Sequence, residues 1–393
     1  MLSSRYWFVL ILALVLTSCL NEDKVVATVK VHNSLNMERL YETVEISAEF
    51  LGVSEPLEVF GIRDVNSKKV ETIQYVDKDN DGNYDVMLFQ PRMDSLSERK
   101  FEVFFNQGGS QNGTGDLRCY SRFVPERTDD YAWENNRVAF RTFGPTAQMM
   151  AEKGISGGTL TSGIDAWLKK VEYPIIDKWY EKTISKNGNY HKDTGEGLDN
   201  FHVGSSRGIG GIAIKENGHY YFSKNFASWK TVSNGPIRTS FELTYNDWHA
   251  GEKVVRETKR VSLDYGSNLT KYEIEIHGVE QISAGLTLHE NDGCVTINDG
   301  KGFVSYWQPH GNSELGMAIV SPKEFYKGFE KYETTEKDLS NLYANLKVLD
   351  NQIIYYAGFG WKESGQFKTK FDWENYLLRF TEKINNPLLV ELN

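Results

Sequence analysis

The sequence is poor in cysteine and has no excess of positive charge. Cysteine accounts for 3 of the 393 residues, with no CxxC pair and no Cys/His cluster at metal-ligand spacing, so we predict no zinc site or other catalytic metal. Lys and Arg total 44 against 54 Asp and Glu, a net charge of −10. Because the chain has no excess of positive charge to bind a phosphate backbone, we predict no nucleic-acid partner. The single long apolar run excludes a polytopic membrane protein.

That apolar run lies at the N-terminus and is typical of an export signal. Arg5 precedes the apolar residues 7–16, a run too short to span a bilayer. The ending Thr17-Ser18-Cys19 resembles a bacterial lipobox, in which the cysteine carries acyl chains. Residues 1–18 are thus predicted to be a lipoprotein signal peptide and Cys19 the lipidation site. The alternative is an ordinary signal peptide cleaved near Ser18. The expected location is the outer membrane, held by the lipid anchor only, with the periplasmic side favoured over the cell surface.

Composition and periodicity favour a mostly β protein. Hydrophobic residues make up 40% of the chain and aromatic residues 13%, enough to build a large core. Segments 238–245 and 271–276 alternate polar and apolar residues, as half-buried strands do. Asn-Gly and Asp-Gly pairs mark hairpin turns between such segments. Helical periodicity is brief, at 146–153, 163–170 and 371–383.

A tract rich in Gly, Asn and Ser at 106–115 is typical of a linker and divides the chain. Residues 19–115 are predicted to form a small immunoglobulin-like N-terminal sandwich with its linker. Residues 116–393 are predicted to form a large antiparallel β-sandwich catalytic domain, a mutarotase-like supersandwich with few short helices. Cys119 and Cys294 either pair in an oxidising compartment or remain two separate buried thiols.

The densest polar stretch lies at 190–211. It holds two His, three acidic residues, one Lys, one Arg and six Gly in 22 residues. Crowded titratable groups shift one another's pKa values, and glycines let the backbone approach a ligand closely, so the stretch suits proton transfer. The alternative is a solvated, charged hairpin loop. The candidate catalytic residues are Tyr190, His191, Asp193, Glu196, Asp199 and Arg207, and His202 is a candidate for substrate binding.

A second candidate segment covers residues 125–141. Trp133 has the flat face that stacks on a pyranose, while Glu134 and Arg141 suit hydroxyl and carboxylate groups. The alternative is a structural Arg–carboxylate pair at the edge of the large sheet. Lys224 and Arg238, on the strands that follow the glycine-rich loop, are further candidates for substrate binding.

The acidic turn at 77–85 matches the first half of a calcium loop. Asp77, Asp79, Asp81 and Gly82 fit the pattern D-x-D-x-D-G, but Leu88 stands where the bidentate Glu is expected. The sequence therefore leaves two alternatives, a structural calcium site or a simple acidic hairpin turn. No other cofactor is predicted.

The remaining histidines are scattered without ligand spacing and are interpreted as strand residues. Two short segments, His289-Glu290 and 307–310, nevertheless contain histidines that could reach a shared pocket.

Three motifs resemble one family of exported bacterial lipoproteins. They are His191-x-Asp193-x-Gly195-Glu196-Gly197-x-Asp199, Val203-Gly204-x-Ser206-x-Gly208-x-Gly210-Gly211 and the segment 130–141. The family occurs in polysaccharide-utilisation clusters, was first known as a domain of unknown function, and includes the ulvan oligosaccharide dehydratase. The resemblance implies removal of water from the non-reducing-end uronic acid (glucuronic or iduronic acid) of an ulvan oligosaccharide, leaving a 4,5-unsaturated residue. The implied partner is an anionic oligosaccharide.

Elimination from a uronate needs three kinds of group, and chemistry assigns candidates to each. A cation must neutralise the carboxylate so that the developing enolate is stabilised; Arg207 is the candidate, with Arg141 or Lys224 as alternatives.

A base then removes the C5 proton and an acid protonates the departing hydroxyl. His191 or Tyr190 is the candidate base, and Asp199 is expected to orient His191. Glu196 or Asp193 is the candidate acid if burial raises its pKa.

Three other functions fit the same residues. A polysaccharide lyase uses the same elimination but expels a sugar, and a non-catalytic glycan-binding lipoprotein needs only an aromatic face. A glycosidase would use Glu196 and Asp199 as its carboxylate pair.

Overall fold

Alternating segments form most of the strands in the computed structural model, which describes residues 24–106 and 117–393. In chain order the strands are β1 (Val25–His32), β2 (Val44–Ser47), β3 (Phe60–Asp64), β4 (Gln74–Val76), β5 (Val86–Phe89), β6 (Glu98–Phe105), β7 (Tyr120–Val124), β8 (Asp130–Glu134), β9 (Ala139–Thr142), β10 (Asp165–Lys169), β11 (Gly197–Leu198), β12 (Ile209–Glu216), β13 (His219–Tyr221), β14 (Ser228–Ser233), β15 (Arg238–Thr244), β16 (Trp248–Ala250), β17 (Lys253–Asp264), β18 (Leu269–His277), β19 (Gln281–Thr287), β20 (Cys294–Asn298), β21 (Phe303–His310), β22 (Ser313–Val320), β23 (Tyr326–Tyr332), β24 (Asn341–Lys347), β25 (Gln352–Trp361) and β26 (Leu389–Leu392). The α-helices are α1 (Ala48–Leu51), α2 (Pro145–Glu152), α3 (Ile176–Ile184) and α4 (Lys370–Asn385).

Two sheets form the N-terminal sandwich. Their strand orders are β26-β1-β6-β3 and β2-β5-β4, and Val29, Phe60 and Phe101 belong to the core between them. The strand β26 pairs antiparallel with β1, and Leu392 lies opposite Val29. This corrects the predicted division, which assigned all of 116–393 to the second domain. The correction has a physical reason, because β26 covers the backbone edge of β1 that would otherwise stay unpaired.

Three further sheets form the large β-sandwich. A nine-stranded sheet has the order β14-β15-β17-β18-β25-β22-β21-β20, with β16 paired to β17. Two five-stranded sheets, β11-β10-β9-β8-β7 and β13-β12-β19-β24-β23, share one hydrophobic core with it. A bridge between Ile164 and Gly208 links the two smaller sheets. The predicted class, a mostly β protein with antiparallel sheets and few helices, is confirmed.

Period-two alternation builds this core. Along β18, Tyr272, Ile274 and Ile276 are buried, while the residues between them face outward. Tyr272 lies opposite Tyr355 of β25 and stacks on it, with ring centroids 5.0 Å apart. Burial of each such side chain contributes about 1.5–3 kcal/mol, so the paired inner faces hold the sheets together.

Two of the three predicted helical segments are helices. The segments 146–153 and 371–383 coincide with α2 and α4, and α4 begins with a capping box between Thr369 and Asp372. The third segment, 163–170, contains the strand β10. All five residues of β10 are buried, because the sheet is covered on both faces, and a strand covered on both faces loses its alternation.

The helix α3 was not predicted. Its Ile176, Trp179 and Tyr180 are buried at the spacing of one helix face. They pack on the outer face of the β7–β11 sheet, against Trp167. The segment is short and lies beside charged residues, which hides its periodicity in the sequence.

Several predictions concern the cysteines and the segments that lie outside the described residues. Cys119 is buried, Cys294 is exposed, and both are free thiols, so the pairing alternative is corrected, and so is the expectation that both are buried. Residues 1–18, Cys19 and most of the 106–115 tract lie outside the described residues. Within residues 24–106 and 117–393, none of the helices is both long and apolar enough to span a membrane.

The contact between the two domains includes a network of hydrogen bonds and ion pairs. The Gln74 side-chain amide donates to the Ser233 hydroxyl and the Arg238 carbonyl, and its Oε1 accepts the Ile237 and Arg238 N–H groups. The Arg238 guanidinium bridges Glu45 of the N-terminal sandwich and Asp264 of β17.

Arg238 is therefore a structural residue, and its predicted role in substrate binding is corrected. Burial alone would raise the pKa of the Glu45 carboxyl, but the charges of Arg238 and Lys78 outweigh it and lower that pKa to about 2. Only an ionised Glu45 makes this contact.

We expect Arg238→Ala to lower the free energy of unfolding by about 2 kcal/mol, between the value of an exposed pair and that of a fully buried one. The substitution leaves Glu45 and Asp264 facing each other without their cation. Urea denaturation measures the loss. The matched control is Lys230→Ala, which removes only an exposed hydrogen bond to the Asp79 carbonyl and should stay near wild type. Equal midpoints for the two variants would contradict the structural role.

Candidate active site

The segment 190–211 passes through separate environments and does not form one site. Its first residues join a buried ionic cluster around Arg141, its middle lies at the end of a cleft, and Arg207 enters the core. The sequence predicted that the cation, base and acid of one elimination come from this segment, and this prediction is corrected. The reason is that the charged groups have separate partners in the fold: Asp199 pairs with Arg141, Glu196 with Lys178, and Arg207 donates to Ser162.

Arg141 is the centre of the ionic cluster. It lies opposite Asp165 in the β9–β10 register, and its Nε and Nη2 donate to Asp165 Oδ2 at 2.8 and 2.5 Å. Nη2 also donates to Asp199 Oδ2 at 2.9 Å, and Nη1 lies 3.5 Å from Asp130 Oδ2. Arg141 is 7% exposed. It is therefore enclosed by three carboxylates rather than open to a substrate, as the structural alternative in the sequence analysis described.

Three buried carboxylates carry more negative charge than one guanidinium can neutralise, and the pKa values of two of them are raised. Burial, followed by the charge of Asp199, raises the pKa of Asp165 well above its usual range, although Arg141 opposes this. Burial also raises the pKa of Asp130. Protons on these carboxyls reduce the excess negative charge that the cluster would otherwise hold.

His191 and Tyr190 stand at the rim of this cluster. The His191 side chain is about half exposed, and its Nδ1 lies 2.6 Å from the Asp199 carbonyl oxygen. A carbonyl only accepts, so Nδ1 carries the proton and Nε2 is the free nitrogen. Asp199 thus contacts His191 mainly through its backbone, while its carboxylate serves Arg141. The Tyr190 hydroxyl accepts from Arg127 and Arg141 and is held in the cluster.

Glu196 and Asp193 are not suited to donate a proton. The Glu196 carboxylate accepts from Tyr173 and Lys178, and these contacts lower its pKa although burial acts to raise it. Asp193 accepts from Lys170 and the Gly195 and Gly197 N–H groups, which likewise lower its pKa against the effect of burial. Both carboxyls stay ionised, so their predicted role as the acid is corrected.

Arg207 is fully buried and does not reach a substrate. Its guanidinium donates to Ser162 Oγ at 3.0 Å and to the Ser205 carbonyl at 3.1 Å, and it lies over the Phe222 ring at 3.8 Å. Burial lowers its pKa to about 10. Its predicted role as the carboxylate holder is therefore corrected.

The neighbouring serine also has a structural role. Gly204-Ser205-Ser206-Arg207-Gly208 has the G-x-S-x-G spacing of a nucleophile elbow. Ser206 is fully buried, however, and its hydroxyl accepts the Gly208 N–H. The segment leads into strand β12 rather than a helix, so it lacks the strand–turn–helix geometry of an elbow.

The other predicted substrate-binding residues are structural as well. Trp133 is buried, stacks on Phe140 and donates its indole N–H to Thr270. Glu134 is fully buried and accepts from Lys169. Lys224 is exposed and pairs with Glu152 at 2.6 Å, without other site residues around it.

Glu134 shows why a buried acid is needed there. Its Oε1 accepts the Ile175 and Ile176 N–H groups at 2.8 and 2.9 Å, at the N-terminus of α3. Helix N-termini leave backbone donors unsatisfied and favour negative charge. Glu134 therefore anchors α3 to the β7–β11 sheet.

One cleft brings chemistry-bearing residues together. It has a volume of about 660 Å³ and lies where the ends of β19, β21 and the β23–β24 connection meet the 200–202 segment. We call it the histidine cleft. Its polar lining residues are Asn200, His202, Thr287, His289, Glu290, Asp292, Gln308, His310, Thr334, Thr335, Glu336, Lys337, Asp338 and Ser340.

His289 and His310 differ in the number of ring nitrogens that have a hydrogen-bond partner. His289 Nε2 lies 2.9 Å from the His202 carbonyl oxygen and its Nδ1 lies 2.7 Å from Gln308 Nε2, so both ring nitrogens are occupied. His310 Nε2 lies 3.0 Å from Asn200 Oδ1. Its Nδ1 has no partner among the residues that the structure describes. With Nε2 donating to the amide oxygen, Nδ1 keeps a free lone pair.

Both of these imidazoles favour the neutral form. Burial lowers the pKa of His289. Burial, together with the nearby His289, lowers the pKa of His310 to about 4. The two ring centroids lie 6.1 Å apart. At neutral pH, His310 is therefore available to accept a proton.

His202 faces a carboxylate across the cleft. Its Nε2 lies 3.1 Å from both Asp338 oxygens. Gly204 makes this contact possible: its φ is +52°, and a Cβ there would lie 1.9 Å from Asp338 Oδ2. The Val203-Gly204 motif thus has a steric reason.

The site residues that the sequence analysis missed come from four parts of the chain. Asn200, Gln308, Asp338 and Lys337 were not singled out, and His289 and His310 were recognised only as able to share a pocket. The available signal was the position of both histidines at strand ends, where loops carry function.

The acidic turn keeps both of its interpretations. Carboxylate oxygens of Asp77, Asp79 and Asp85 lie within 4.8 Å of one another, which fits a cation. The Asp77 carboxylate also accepts the N–H groups of Asn80, Asp81 and Gly82, as in a plain acidic turn. Structural calcium at 77–85 stays a prediction.

We expect Arg141→Met to lower the free energy of unfolding by about 3–5 kcal/mol, because three buried carboxylates would lose the cation that they share. Thermal and urea denaturation measure the loss. Lys224→Ala, which breaks an exposed pair, is the control and should leave the midpoint unchanged. A stable Arg141→Met protein would show that the cluster is held by other groups.

We expect His310→Gln to flatten the dependence of stability on acid pH. The folded-state pKa of about 4 lies below the ordinary value of 6.5. Between pH 4 and pH 6.5 the imidazole is therefore protonated in the unfolded chain and neutral in the folded chain. The free energy of unfolding therefore falls as the pH drops from 6.5 to 4. The variant lacks this component. Urea denaturation from pH 4 to pH 8 measures the slope, with His249→Gln on β16 as the control. Equal slopes for the His310 variant and wild type would contradict a neutral buried imidazole.

Comparison with known proteins identifies a family and a fold. Residues 31–390 match the family described as a domain of unknown function (DUF4861). A protein of Formosa agariphila named Uncharacterized protein P7 is 53% identical over 383 residues, which cover 97% of each chain.

Among solved structures, the chain resembles a protein in the glycosyl hydrolase family 38 from Enterococcus faecalis, with a TM-score of 0.53 and 10% identity over 95% of this chain and 49% of that one. An alpha-mannosidase from Enterococcus faecalis V583 gives a TM-score of 0.42 and 11% identity over 93% of this chain and 46% of that one. The chain spans about half the length of these two proteins, and the first likeness concerns the fold alone.

The family match extends along nearly the whole described chain, and the Formosa relative aligns over almost its full length. This protein therefore belongs to the DUF4861 family.

Proposed function

We propose that this protein is a carbohydrate-active lyase that removes water from the non-reducing-end uronic acid of an oligosaccharide, and that the histidine cleft is its active site. The substrate class follows from the resemblance of the 190–211 and 130–141 motifs to the family that includes the ulvan oligosaccharide dehydratase. The observation that carries the chemistry is a neutral imidazole, His310, with a free Nδ1 in a cleft that also holds a second imidazole, His202, paired to a carboxylate.

In this proposal His310 is the base. Its Nδ1 takes the proton from C5 of the uronate, and the electrons of the broken C–H bond form the C4=C5 double bond. A bound carboxylate also raises the proton affinity of a nearby imidazole, because an opposite charge favours the imidazolium. Asn200 fixes the ring through Nε2, which keeps Nδ1 as the accepting atom.

His202 is the acid. The C4–O bond breaks with its electron pair, and the imidazolium of His202 gives the departing hydroxyl a proton, so that water leaves. Asp338 holds His202 in place and stabilises its charge. The products are the 4,5-unsaturated uronyl residue and one water molecule, and exchange with solvent returns both imidazoles to their starting forms.

Lys337 is the cation of the cleft lining that neutralises the substrate carboxylate. The acidic residues Glu290, Asp292 and Glu336 line the same cleft, and carboxylates commonly accept hydrogen bonds from sugar hydroxyls. An acidic protein can in this way bind an acidic sugar, since the positive charge is local.

We also propose that the mature protein is held at the outer membrane by acyl chains on Cys19. The lipobox-like ending of the apolar run supports this location. Export of such a protein fits an oligosaccharide substrate that is formed outside the cytoplasm.

Incubation with defined uronate-capped oligosaccharides tests the reaction. We expect the product to be lighter by one water, to keep its chain length and to absorb as an unsaturated uronate. Shorter chains would indicate a polysaccharide lyase, release of a saturated sugar would indicate a glycosidase, and binding without any product would indicate a glycan-binding module. Each of these outcomes overturns the dehydratase.

Two variants test the residues. His310→Ala and His202→Ala should each reduce the rate at least about a hundredfold, the usual contribution of a positioned acid or base. Glu196→Gln, at a residue paired with Lys178 outside the cleft, is the control and should keep most of the activity. Loss of activity in the Glu196 variant alone would move the active site back to the 190–199 segment.

A further inference from the structure

A second cleft lies between the N-terminal sandwich and α4. It has a volume of about 410 Å³ and joins a neighbouring cavity of about 300 Å³ that shares Tyr41, Tyr376 and Lys383 with it. Neither cavity shares a residue with the histidine cleft. We call the larger one the cationic cleft, because three cations line it: Arg137, Arg379 and Lys383.

None of these three cations has a carboxylate partner within 4.0 Å among the residues that the structure describes. Arg137 donates to the Asn268 amide oxygen, and Arg379 donates to the Glu38 carbonyl. The Lys383 amine has no hydrogen bond within the described chain. In a chain of net charge −10, these three neighbours concentrate positive charge that no carboxylate of the described residues neutralises by direct contact.

The carboxylates beside the cleft are already engaged. Glu38 pairs with Arg92, and Asp372 accepts the Lys368 and Thr369 N–H groups and the Thr369 hydroxyl in the capping box of α4. Glu42, in the neighbouring cavity, holds Arg39 through two hydrogen bonds. The positive charge of the cleft is therefore left for another partner.

The cations repel one another. Burial lowers the pKa of the Lys383 amine, and Arg39, Arg379 and Arg137 add to this effect, although Glu42 opposes it. An anion bound among them would relieve this repulsion, and guanidinium groups suit the oxygens of a carboxylate or sulfate.

Tyr41 adds an aromatic surface at the mouth of the cleft. It is 44% exposed, and its φ of +57° lies in the left-handed region that non-glycine residues rarely adopt. Strain of this kind persists where the surroundings hold a residue for a reason. The ring packs edge-on against Tyr265 and lies under the Arg137 guanidinium at 5.9 Å. The amides of Gln366 and Asn375 also line the cleft.

We infer that the cationic cleft is a second binding site, which takes a saccharide bearing a sulfate or carboxylate group. The cations receive the charged group, and the exposed tyrosine ring and the two amides receive the sugar. This inference does not depend on the reaction proposed for the histidine cleft.

Calorimetric titration of the full chain tests the inference, with glucose 6-sulfate, glucuronate, glucose and inorganic sulfate as probes. We expect the two charged sugars to bind and glucose to bind at least tenfold more weakly. Inorganic sulfate binding as tightly as glucose 6-sulfate would show an anion site without sugar recognition and would overturn the saccharide assignment. No binding of any charged probe would overturn the site.

Variants at the two clefts show which cleft binds the charged sugars. The double variant Arg379→Ala/Lys383→Ala should weaken the charged sugars at least tenfold, and the single variant Lys383→Met, which keeps the packed stem, should show part of this loss if the double variant is unstable. Lys370→Ala, on the same helix and paired with Glu374, is the control and should bind as wild type. His310→Ala should also keep this binding. Loss of binding in the His310 variant with retention in the double variant would assign the ligand to the histidine cleft and overturn the inference.

Discussion

The ion pair between Arg141 and Asp199 is the contact on which the arrangement of the candidate site depends. Arg141 belongs to β9, in the middle of a five-stranded sheet, whereas Asp199 belongs to the irregular segment that follows β11. Their 2.9 Å contact fixes the chain at residue 199. Asn200 and His202 then line the histidine cleft, where Asn200 contacts His310 and His202 contacts Asp338. A buried ion pair in one layer of the fold thus positions two imidazoles in another.

Burial acts on titratable groups here with opposite results, according to their partners. Asp165 has no cation of its own beyond the shared Arg141, and its pKa rises. Glu196 is paired with Lys178 and Tyr173, and its pKa falls. His310 contacts the Asn200 amide, the Phe201 ring and a second imidazole, with no carboxylate within 4.0 Å among the described residues, so burial lowers its pKa. A titratable group is therefore suited to proton transfer when it is partly buried and has no opposite charge beside it, as His310 is. Crowding with other charged groups, as at Glu196, does not have this effect.

Positive charge in this acidic protein is concentrated where a ligand can use it. Most of the described lysines and arginines form ion pairs, as Lys224 and Arg238 do, or are buried with hydrogen-bond partners, as Arg207 is. The cationic cleft and Lys337 of the histidine cleft are the exceptions among the described residues that line cavities. Both lie at the junction of elements from distant parts of the chain. The fold thus offers two concave surfaces lined by cations that form no ion pair among the described residues, and these are the two sites of our proposals.

The sequence by itself determined the fold class, because period-two alternation and Asn-Gly turns are local signals that survive in any tertiary setting. It also indicated the helices α2 and α4, whose patterns are long or well capped. It did not reveal β10, which is covered on both faces, or the return of β26 to the first sheet, since pairing between residues 29 and 392 leaves no local trace.

Only the tertiary structure decided the site. A motif such as 190–211 shows which groups are close along the chain, but whether Glu196 meets a lysine or a substrate depends on where helix α3 places Lys178, 18 residues away. His289, His310 and Asp338 carry no mutual spacing in the sequence, and they meet because β19, β21 and the β23–β24 connection end at the same edge of the sandwich. Proximity along the chain therefore predicted the architecture, while proximity in space, set by sheet order, selected the residues that face a ligand.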